Sequence, residues 1–178
     1  MTGLAPNILV INGHRTPHQS HYGKALFDAV RPLPNVTPHV LSELYHDFQF
    51  NGDYERGLLS AHKAIVLQFP FYWYSSPAIV KEWIDEVLSR GWAYGGGQAL
   101  AGKKLMIATT TGAPEALYRP DGVNGHTVEQ LLAPFERTAA LCGMVWVSPF
   151  ILHGVRYLAD EQLAERCQTY KRTVQALV

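Results

Sequence analysis

The sequence has few cysteines, no excess charge of either sign and no long hydrophobic run, and each shortage excludes a class of protein. Its two cysteines, Cys142 and Cys167, occupy apolar positions of predicted helices, so we expect buried free thiols and no disulfide framework or cysteine-based metal site. Fifteen basic residues balance fifteen acidic ones, which leaves no net field to attract nucleic acid. We therefore expect small molecules or other proteins as partners.

The apolar runs are far shorter than the ~20 residues needed to cross a bilayer. Residues 1–6 have neither the basic start nor the apolar core of a signal peptide, and these two features predict a cytoplasmic protein. Hydrophobic residues make up 47% of the 178 positions, which excludes an intrinsically disordered chain. This length suits one core, so we expect a single domain over residues 1–178.

Short apolar segments alternate with helical patterns along the chain. Apolar runs or alternation predict strands at residues 7–11, 36–40, 64–69, 105–108 and 144–147, with a continuation past Pro149 left open. Because neighbouring parallel strands need crossover connections, this alternation predicts an α/β fold with a parallel sheet covered by helices on both faces.

Two prolines refine this picture. Pro38 lies inside the second predicted strand and is tolerated only if that strand is at a sheet edge. An edge position for the second strand favours a flavodoxin-like three-layer sandwich whose five-stranded parallel sheet has the order 2-1-3-4-5. Pro134 lies in a helix that Thr127 and Gln130 open with a capping box, and it predicts either a kink or the true start of that helix.

In such sheets the ligand binds beyond the carboxyl ends of the strands, where three unusual loops emerge here. The first loop opens a helix, whose free amides and dipole form an anion site. Its candidate phosphate ligands are the hydroxyls of Thr16 and Ser20 and the cationic side chains of His14, Arg15 and His18. The alternative is a polar capping loop with solvated histidines. A metal site on the loop histidines is disfavoured by their irregular spacing and by the lack of a nearby carboxylate or thiolate.

The second and third loops supply aromatic and polar groups. Four aromatic residues follow a buried strand: Phe71, Tyr72, Trp73 and Tyr74. Exposure of their rings to water costs free energy, so they indicate a flat heteroaromatic ligand or a partner subunit that covers them. The alternative is that some of them extend the core. The third loop, residues 110–113, offers a hydroxyl pair and a glycine that lets backbone amides approach a ligand. Together, an anion site, apolar walls and amide donors match the needs of a flavin.

One further motif is rejected. Residues 97–104 nearly fit a nucleotide P-loop, but Lys104 stands where a serine or threonine would ligate magnesium. The segment also precedes a strand instead of following one.

In several short motifs the chain resembles the flavodoxin-like NAD(P)H:quinone oxidoreductases. The resemblance is strongest to the small bacterial flavoproteins that serve as ancillary subunits of glutathione-gated potassium efflux systems. The motifs that carry the resemblance are Gly13-His14 with Ser20-His21, residues 69–75, residues 88–95 and Thr110-Thr111-Gly112. The resemblance covers nearly the whole chain. It implies FMN, ahead of FAD, as cofactor, and two-electron reduction of quinones by NADH or NADPH in a ping-pong mechanism.

The resemblance also implies partners. Related enzymes are symmetric homodimers, and a second subunit would cover the aromatic surface around Trp73 and Trp92. The alternative function is that of a regulatory ancillary subunit of a potassium efflux transporter, with or without turnover. In that case the cytoplasmic chain would lie at the inner face of the membrane through its protein partner.

Individual residues receive roles from the same resemblance. The implied FMN-binding positions are His14, Ser20, His21, Tyr22, Gly23, Pro70, Phe71, Tyr72, Trp73, Tyr74, Thr110, Thr111, Gly112 and Ala113. Tyr118 and His126 are the implied catalytic residues, which stabilise negative charge on the reduced flavin, and no metal is implied. The chain departs from the family pattern at Gly23, often asparagine, and at Ala113 and Pro114, often glycine; the proline offers no amide hydrogen.

Overall fold

The computed structural model describes residues 7–178, so the expectation about a signal peptide in residues 1–6 lies outside the described residues. Strands and helices alternate along the chain. In chain order they are β1 Ile8–Asn12, α1 His21–Val30, β2 Val36–Val40, α2 Leu41–Leu44, α3 Gly52–Ala61, β3 Ala64–Pro70, α4 Ala78–Val87, β4 Lys104–Thr110, α5 Val128–Leu131, α6 Ala133–Leu141, β5 Val145–Leu152 and α7 Asp160–Gln175. No helix among these residues is long and apolar enough to cross a membrane.

The five strands form one parallel sheet in the order β2-β1-β3-β4-β5, which confirms the predicted topology. Pro38 pairs with Val10 on the edge strand β2, where a residue without an N–H group is tolerated. Strand β5 continues through Pro149, and the register against β4 shifts between Met106 and Ala108. A bulge therefore absorbs the proline and lets β5 reach the carboxyl edge of the sheet.

Alternating strand residues divide the core into two layers. Leu9, Ile65 and Ile107 face one side, with the buried residues of α3, α4 and α6. Val10 and Val66 face the other side, with those of α1 and α7. Both faces of the central strands β1, β3 and β4 are covered, so the sequences of these strands are almost continuously apolar, as in other parallel sheets.

Two helical details are decided by local chemistry. The capping box of Thr127 with Gln130 is present, as predicted. The helix that it opens ends after one turn at Leu131, and a second helix begins at Ala133 with Pro134 in its first turn. The proline ring prevents the first helix from continuing without a break, so Pro134 marks a new start and not a kink. The thiols of Cys142 and Cys167 are free and buried, as predicted.

A buried polar cluster joins the edge of the sheet to the helices on one face. The fully buried Glu55 carboxylate of α3 accepts hydrogen bonds from His39 Nε2 at 2.9 and 3.0 Å, Tyr45 Oη at 2.7 Å and Trp83 Nε1 at 2.8 Å. These partners belong to β2, the segment after α2, and α4. One carboxylate thus connects four parts of the chain and has its charge balanced by three donors.

Candidate functional site

The three predicted loops meet beyond the carboxyl ends of β1, β3 and β4. The amide of Gly13 donates to Gln68 O at 2.8 Å, and the amide of Phe71 donates to Thr110 O at 3.0 Å. Tyr72 Oη lies 3.4 Å from His14 Nε2. We call residues 13–23, 70–75 and 110–118, which these contacts hold together, the strand-end site.

The first part of the strand-end site is the start of α1. Ser20 is the N-cap residue, but its hydroxyl makes no capping hydrogen bond within the described chain. Unpaired first-turn amides and the positive end of the helix dipole surround this hydroxyl. A Cβ on Gly23 would lie 2.7 Å from Ser20 Oγ, so the glycine keeps the hydroxyl unobstructed. The arrangement can bind a phosphate through hydrogen bonds alone.

The two histidines of this part differ in what they can offer. Thr16 N donates to His14 Nδ1 at 3.0 Å, so the neutral ring carries its hydrogen on Nε2. Burial lowers the pKa of His14, and His14 is therefore a hydrogen-bond donor near neutral pH, not the cation that the sequence suggested. The His21 side chain is exposed and lies 3.8 Å from Asp160, so it is the backbone amide of His21 that faces the anion site.

The aromatic loop forms a tight, strained turn. Tyr72 and Ser75 exchange two backbone hydrogen bonds of 2.9 Å, and the turn residues Trp73 and Tyr74 have φ angles of +49° and +64°. Left-handed backbone costs non-glycine residues about 1–2 kcal/mol each. The turn leaves Trp73 93% exposed, whereas Phe71 packs partly against the core. Tyr72, Trp73 and Tyr74 therefore present an aromatic surface that is exposed in the described chain, and Phe71 anchors it.

The third loop presents backbone amides and turns one hydroxyl inward. Thr111 is fully buried, and its Oγ1 donates to Ala113 O at 2.8 Å. The predicted hydroxyl pair is thus reduced to Thr110, because the Thr111 hydroxyl is already engaged. The amides of Gly112 and Ala113 donate to no other group in the described part of the chain. These two amides can donate hydrogen bonds to the polar edge of a planar ligand. The Arg156 side chain lies next to Gly112.

The structure places Tyr118 within the strand-end site and His126 in the exposed loop that follows it. The Tyr118 ring lies 6.1 Å from the Phe71 ring, and burial together with Tyr74 raises the pKa of Tyr118. Tyr118 therefore keeps its proton and can donate it in a hydrogen bond. His126 is exposed in the loop before α5.

Sequence reasoning missed His153. This half-buried histidine follows β5, and its ring lies 5.9 Å from the Tyr118 ring. The available signal was its position directly after a strand's carboxyl end, but the three loops with unusual sequences follow the first, third and fourth strands. Within residues 7–178 no three histidine, cysteine or carboxylate side chains are close enough together to hold a metal ion.

Comparison with known proteins adds three relatives. A family described as having a flavodoxin-like fold matches residues 6–176. A glutathione-regulated potassium-efflux system ancillary protein, KefG, of Pectobacterium carotovorum is 46% identical over 93% of this chain and 91% of its own length. General stress protein 14 of Treponema denticola, solved in complex with FMN, is 37% identical with a TM-score of 0.91 over 97% of this chain and 100% of its own. An NADPH-quinone reductase from P. pentosaceus is 30% identical with a TM-score of 0.87 over 94% of this chain and 97% of its own.

Proposed function

This chain belongs to the flavodoxin-like fold family, and on that premise we propose that it is an FMN-dependent NAD(P)H:quinone oxidoreductase. The observation that carries the proposal is the composition of the strand-end site. Unpaired donors at the start of α1 and at Gly112 and Ala113 lie on either side of an uncovered aromatic surface. The relatives solved with FMN and named as a quinone reductase support this assignment.

The residues present fit FMN part by part. The Ser20 hydroxyl and the first-turn amides of α1 would hold the phosphate, and Tyr72, Trp73 and Tyr74 would contact the isoalloxazine. The amides of Gly112 and Ala113 would donate to the polar edge of the ring. FMN supplies hydride transfer between a nicotinamide and a quinone, and the protein supplies orientation and electrostatics. FMN is favoured over FAD because it is the flavin in the Treponema denticola relative.

An open groove of about 690 Å³ lies beside the aromatic turn and is lined by Arg15, Tyr72 and Ile79, among others. We propose that it holds the part of NADH or NADPH that extends beyond the nicotinamide. The nicotinamide and then the quinone are proposed to use one position against the flavin ring. Use of one position by both substrates in turn gives a ping-pong mechanism.

We expect the purified chain to be yellow or to become yellow when it is incubated with excess FMN. The phosphate donors and the aromatic surface together predict one FMN per chain, as read from the visible absorption spectrum and from fluorescence quenching on titration. Riboflavin should bind more weakly because it lacks the phosphate that α1 would hold. A colourless chain that takes up no flavin would contradict the proposed function.

We expect Tyr118→Phe to slow reduction of the FMN-loaded protein by NADPH about tenfold, with the affinity for FMN nearly unchanged. The variant keeps the ring that contacts Phe71 and removes only the hydroxyl, whose hydrogen bond is proposed to act where negative charge develops. Stopped-flow absorbance measures the rate. Tyr157→Phe is the matched control, since Tyr157 is 77% exposed.

His126→Gln is expected to slow the same step less than Tyr118→Phe does, because the His126 side chain is exposed to solvent. Equal rates for both variants and the parent protein would make Tyr118 and His126 ordinary loop residues. The amides of Gly112 and Ala113, with the neighbouring Arg156 side chain, would then supply the charge compensation at the proposed polar edge.

The second candidate function is regulatory binding to a potassium efflux transporter. It is favoured by the name of the Pectobacterium relative and is compatible with enzymatic activity. We further propose that the chain is a cytoplasmic homodimer whose partner subunit covers Trp73. Turnover of NADPH with a quinone by the purified chain would establish the enzymatic function, whereas an FMN-loaded chain without turnover would favour the regulatory one.

A further inference from the structure

His153 lies where two loops are hydrogen-bonded to each other. The amide of Thr111 donates to Leu152 O at 2.9 Å, that of Val155 donates to Thr111 O at 3.0 Å, and that of Gly154 donates to Ala113 O at 2.9 Å. These bonds hold the loop after β4 against the segment after β5. His153 is thus fixed beside the amides proposed to face the polar edge of the flavin.

The hydrogen bonds of Thr111 determine the tautomer of His153. Thr111 Oγ1 lies 2.8 Å from Ala113 O and 3.2 Å from His153 Nδ1. A carbonyl oxygen has no hydrogen, so the single hydroxyl hydrogen of Thr111 must point to Ala113. The hydroxyl oxygen can then only accept from His153, which requires a hydrogen on Nδ1.

The other ring nitrogen is left to titrate. When Nδ1 carries the hydrogen of the neutral ring, Nε2 holds a lone pair and is the atom that gains a proton. Nε2 has no hydrogen-bond partner among residues 7–178 and is not among the atoms sealed from solvent, since no buried side-chain nitrogen or oxygen there lacks a partner. Protons can therefore reach Nε2 from water.

The surroundings of this nitrogen hold the pKa of His153 below its ordinary value. Burial lowers the pKa of His153, Glu115 and Glu129 raise it, and Arg166 lowers it. These charges come from the loop after β4, from α5 and from α7, and the uncharged Tyr118 ring completes the surroundings. His153 is consequently neutral in most molecules at pH 7 and protonated as the pH falls.

We propose that His153 carries the proton that quinone reduction consumes, with Nδ1–H held on Thr111 and Nε2 as the atom that takes up and releases the proton. The inference rests on the proposed function. NAD(P)H delivers two electrons and one proton as hydride, and a hydroquinone needs one proton more. The N–H bond at Nε2 breaks as an O–H bond forms on the quinone oxygen, and water then returns a proton to Nε2.

The first test needs no flavin. Two-bond ¹H–¹⁵N spectra of the ¹⁵N-labelled chain are expected to show the neutral His153 ring with its hydrogen on Nδ1, at pH values above its titration. Thr111→Val removes the acceptor, so the Nε2–H tautomer is expected to gain population. A parent chain in which neutral His153 carries its hydrogen on Nε2 would overturn the proposal.

The second test compares pH profiles of quinone reduction by the FMN-loaded, prereduced protein, with 1,4-benzoquinone as the probe. The parent rate is expected to fall about tenfold per pH unit above the His153 titration measured by NMR, because only the protonated ring supplies the proton. In His153→Asn the amide nitrogen replaces Nδ1 and no titrating atom remains, so the profile is expected to become flat, with FMN affinity within about twofold. His126→Asn is expected to retain the fall with pH.

The outcomes separate the two proposals. A chain that binds no FMN overturns the proposed function and the proton transfer with it. An FMN-loaded His153→Asn protein that keeps the parent pH profile overturns the assignment of His153 alone. If His126→Asn flattens the profile instead, the proton comes from His126.

Discussion

Replacing Glu55 with alanine is expected to lower the free energy of unfolding of the apoprotein by about 3–5 kcal/mol. The substitution removes a fully buried carboxylate and leaves the donors of His39, Tyr45 and Trp83 without their acceptor. Each orphaned buried donor costs about 1–3 kcal/mol, although relaxation makes the sum less than additive. Urea denaturation followed by tryptophan fluorescence and far-UV circular dichroism measures the loss.

The matched control is Asp53→Ala on the same helix. Asp53 is 96% exposed and its ion pair with Arg56 lies at the surface, so its removal is expected to cost less than about 1 kcal/mol. Glu55→Gln should fall between the two, since it keeps the shape and one acceptor oxygen but loses the charge. If Glu55→Ala is no less stable than Asp53→Ala, the buried cluster does not stabilise the fold.

The same cluster predicts a dependence of stability on pH. Burial by itself would raise the pKa of Glu55, but hydrogen bonds from His39, Tyr45 and Trp83 outweigh it and lower the pKa below its ordinary value. A carboxyl with a lowered pKa in the folded state stabilises the fold above the unfolded-state pKa of about 4.3, and this contribution is lost as the pH falls further. Between pH 6 and pH 3 the parent chain should therefore lose more stability than Glu55→Gln.

Ser20→Asp is expected to raise the Kd for FMN at least about a hundredfold, whereas Ser20→Ala should raise it less than about tenfold. Loss of one neutral hydrogen bond costs about 1 kcal/mol. A carboxylate about 4 Å from the proposed phosphate costs up to about 4 kcal/mol near a protein surface. Fluorescence titration with FMN measures both affinities.

Two comparisons isolate the phosphate. Riboflavin carries no phosphate, so Ser20→Asp and Ser20→Ala should bind it with nearly equal affinity. Ser60→Asp adds the same charge at an exposed position of α3 and should leave FMN binding unchanged. Aspartate is also a good N-cap, so the thermal unfolding temperature of apo Ser20→Asp should not be lower than that of the apo parent chain. Equal FMN affinities for the two Ser20 variants would place the phosphate elsewhere.

Much of the fold was predictable because its signals are local. Neighbouring residues are enough to indicate the five strands, the edge position of the strand with Pro38 and the capping box at Thr127. These features limit the sheet order, since right-handed crossovers leave few arrangements. The break at Leu131 was predictable only as a choice between a kink and a new start, because Pro134 is compatible with either until packing decides.

The candidate site was likewise predictable from the sequence only in part. Its three loops were found because each directly follows an apolar strand, and parallel strands all end at one edge. The contact between the Thr111 hydroxyl and His153 was not predictable, since the two residues are 42 apart in sequence. The lowered pKa of His14 likewise depends on burial by groups from other loops.

The sequence by itself determined the fold class, the sheet order and the loops that form the strand-end site. Hydrophobic periodicity, prolines and caps act within a few residues, so a single sequence reveals them. Only the tertiary structure decided that His153 contacts Thr111 and that Glu55 gathers His39, Tyr45 and Trp83. Such contacts depend on strand register and helix packing, because both set which distant side chains come within the ~3 Å reach of a hydrogen bond.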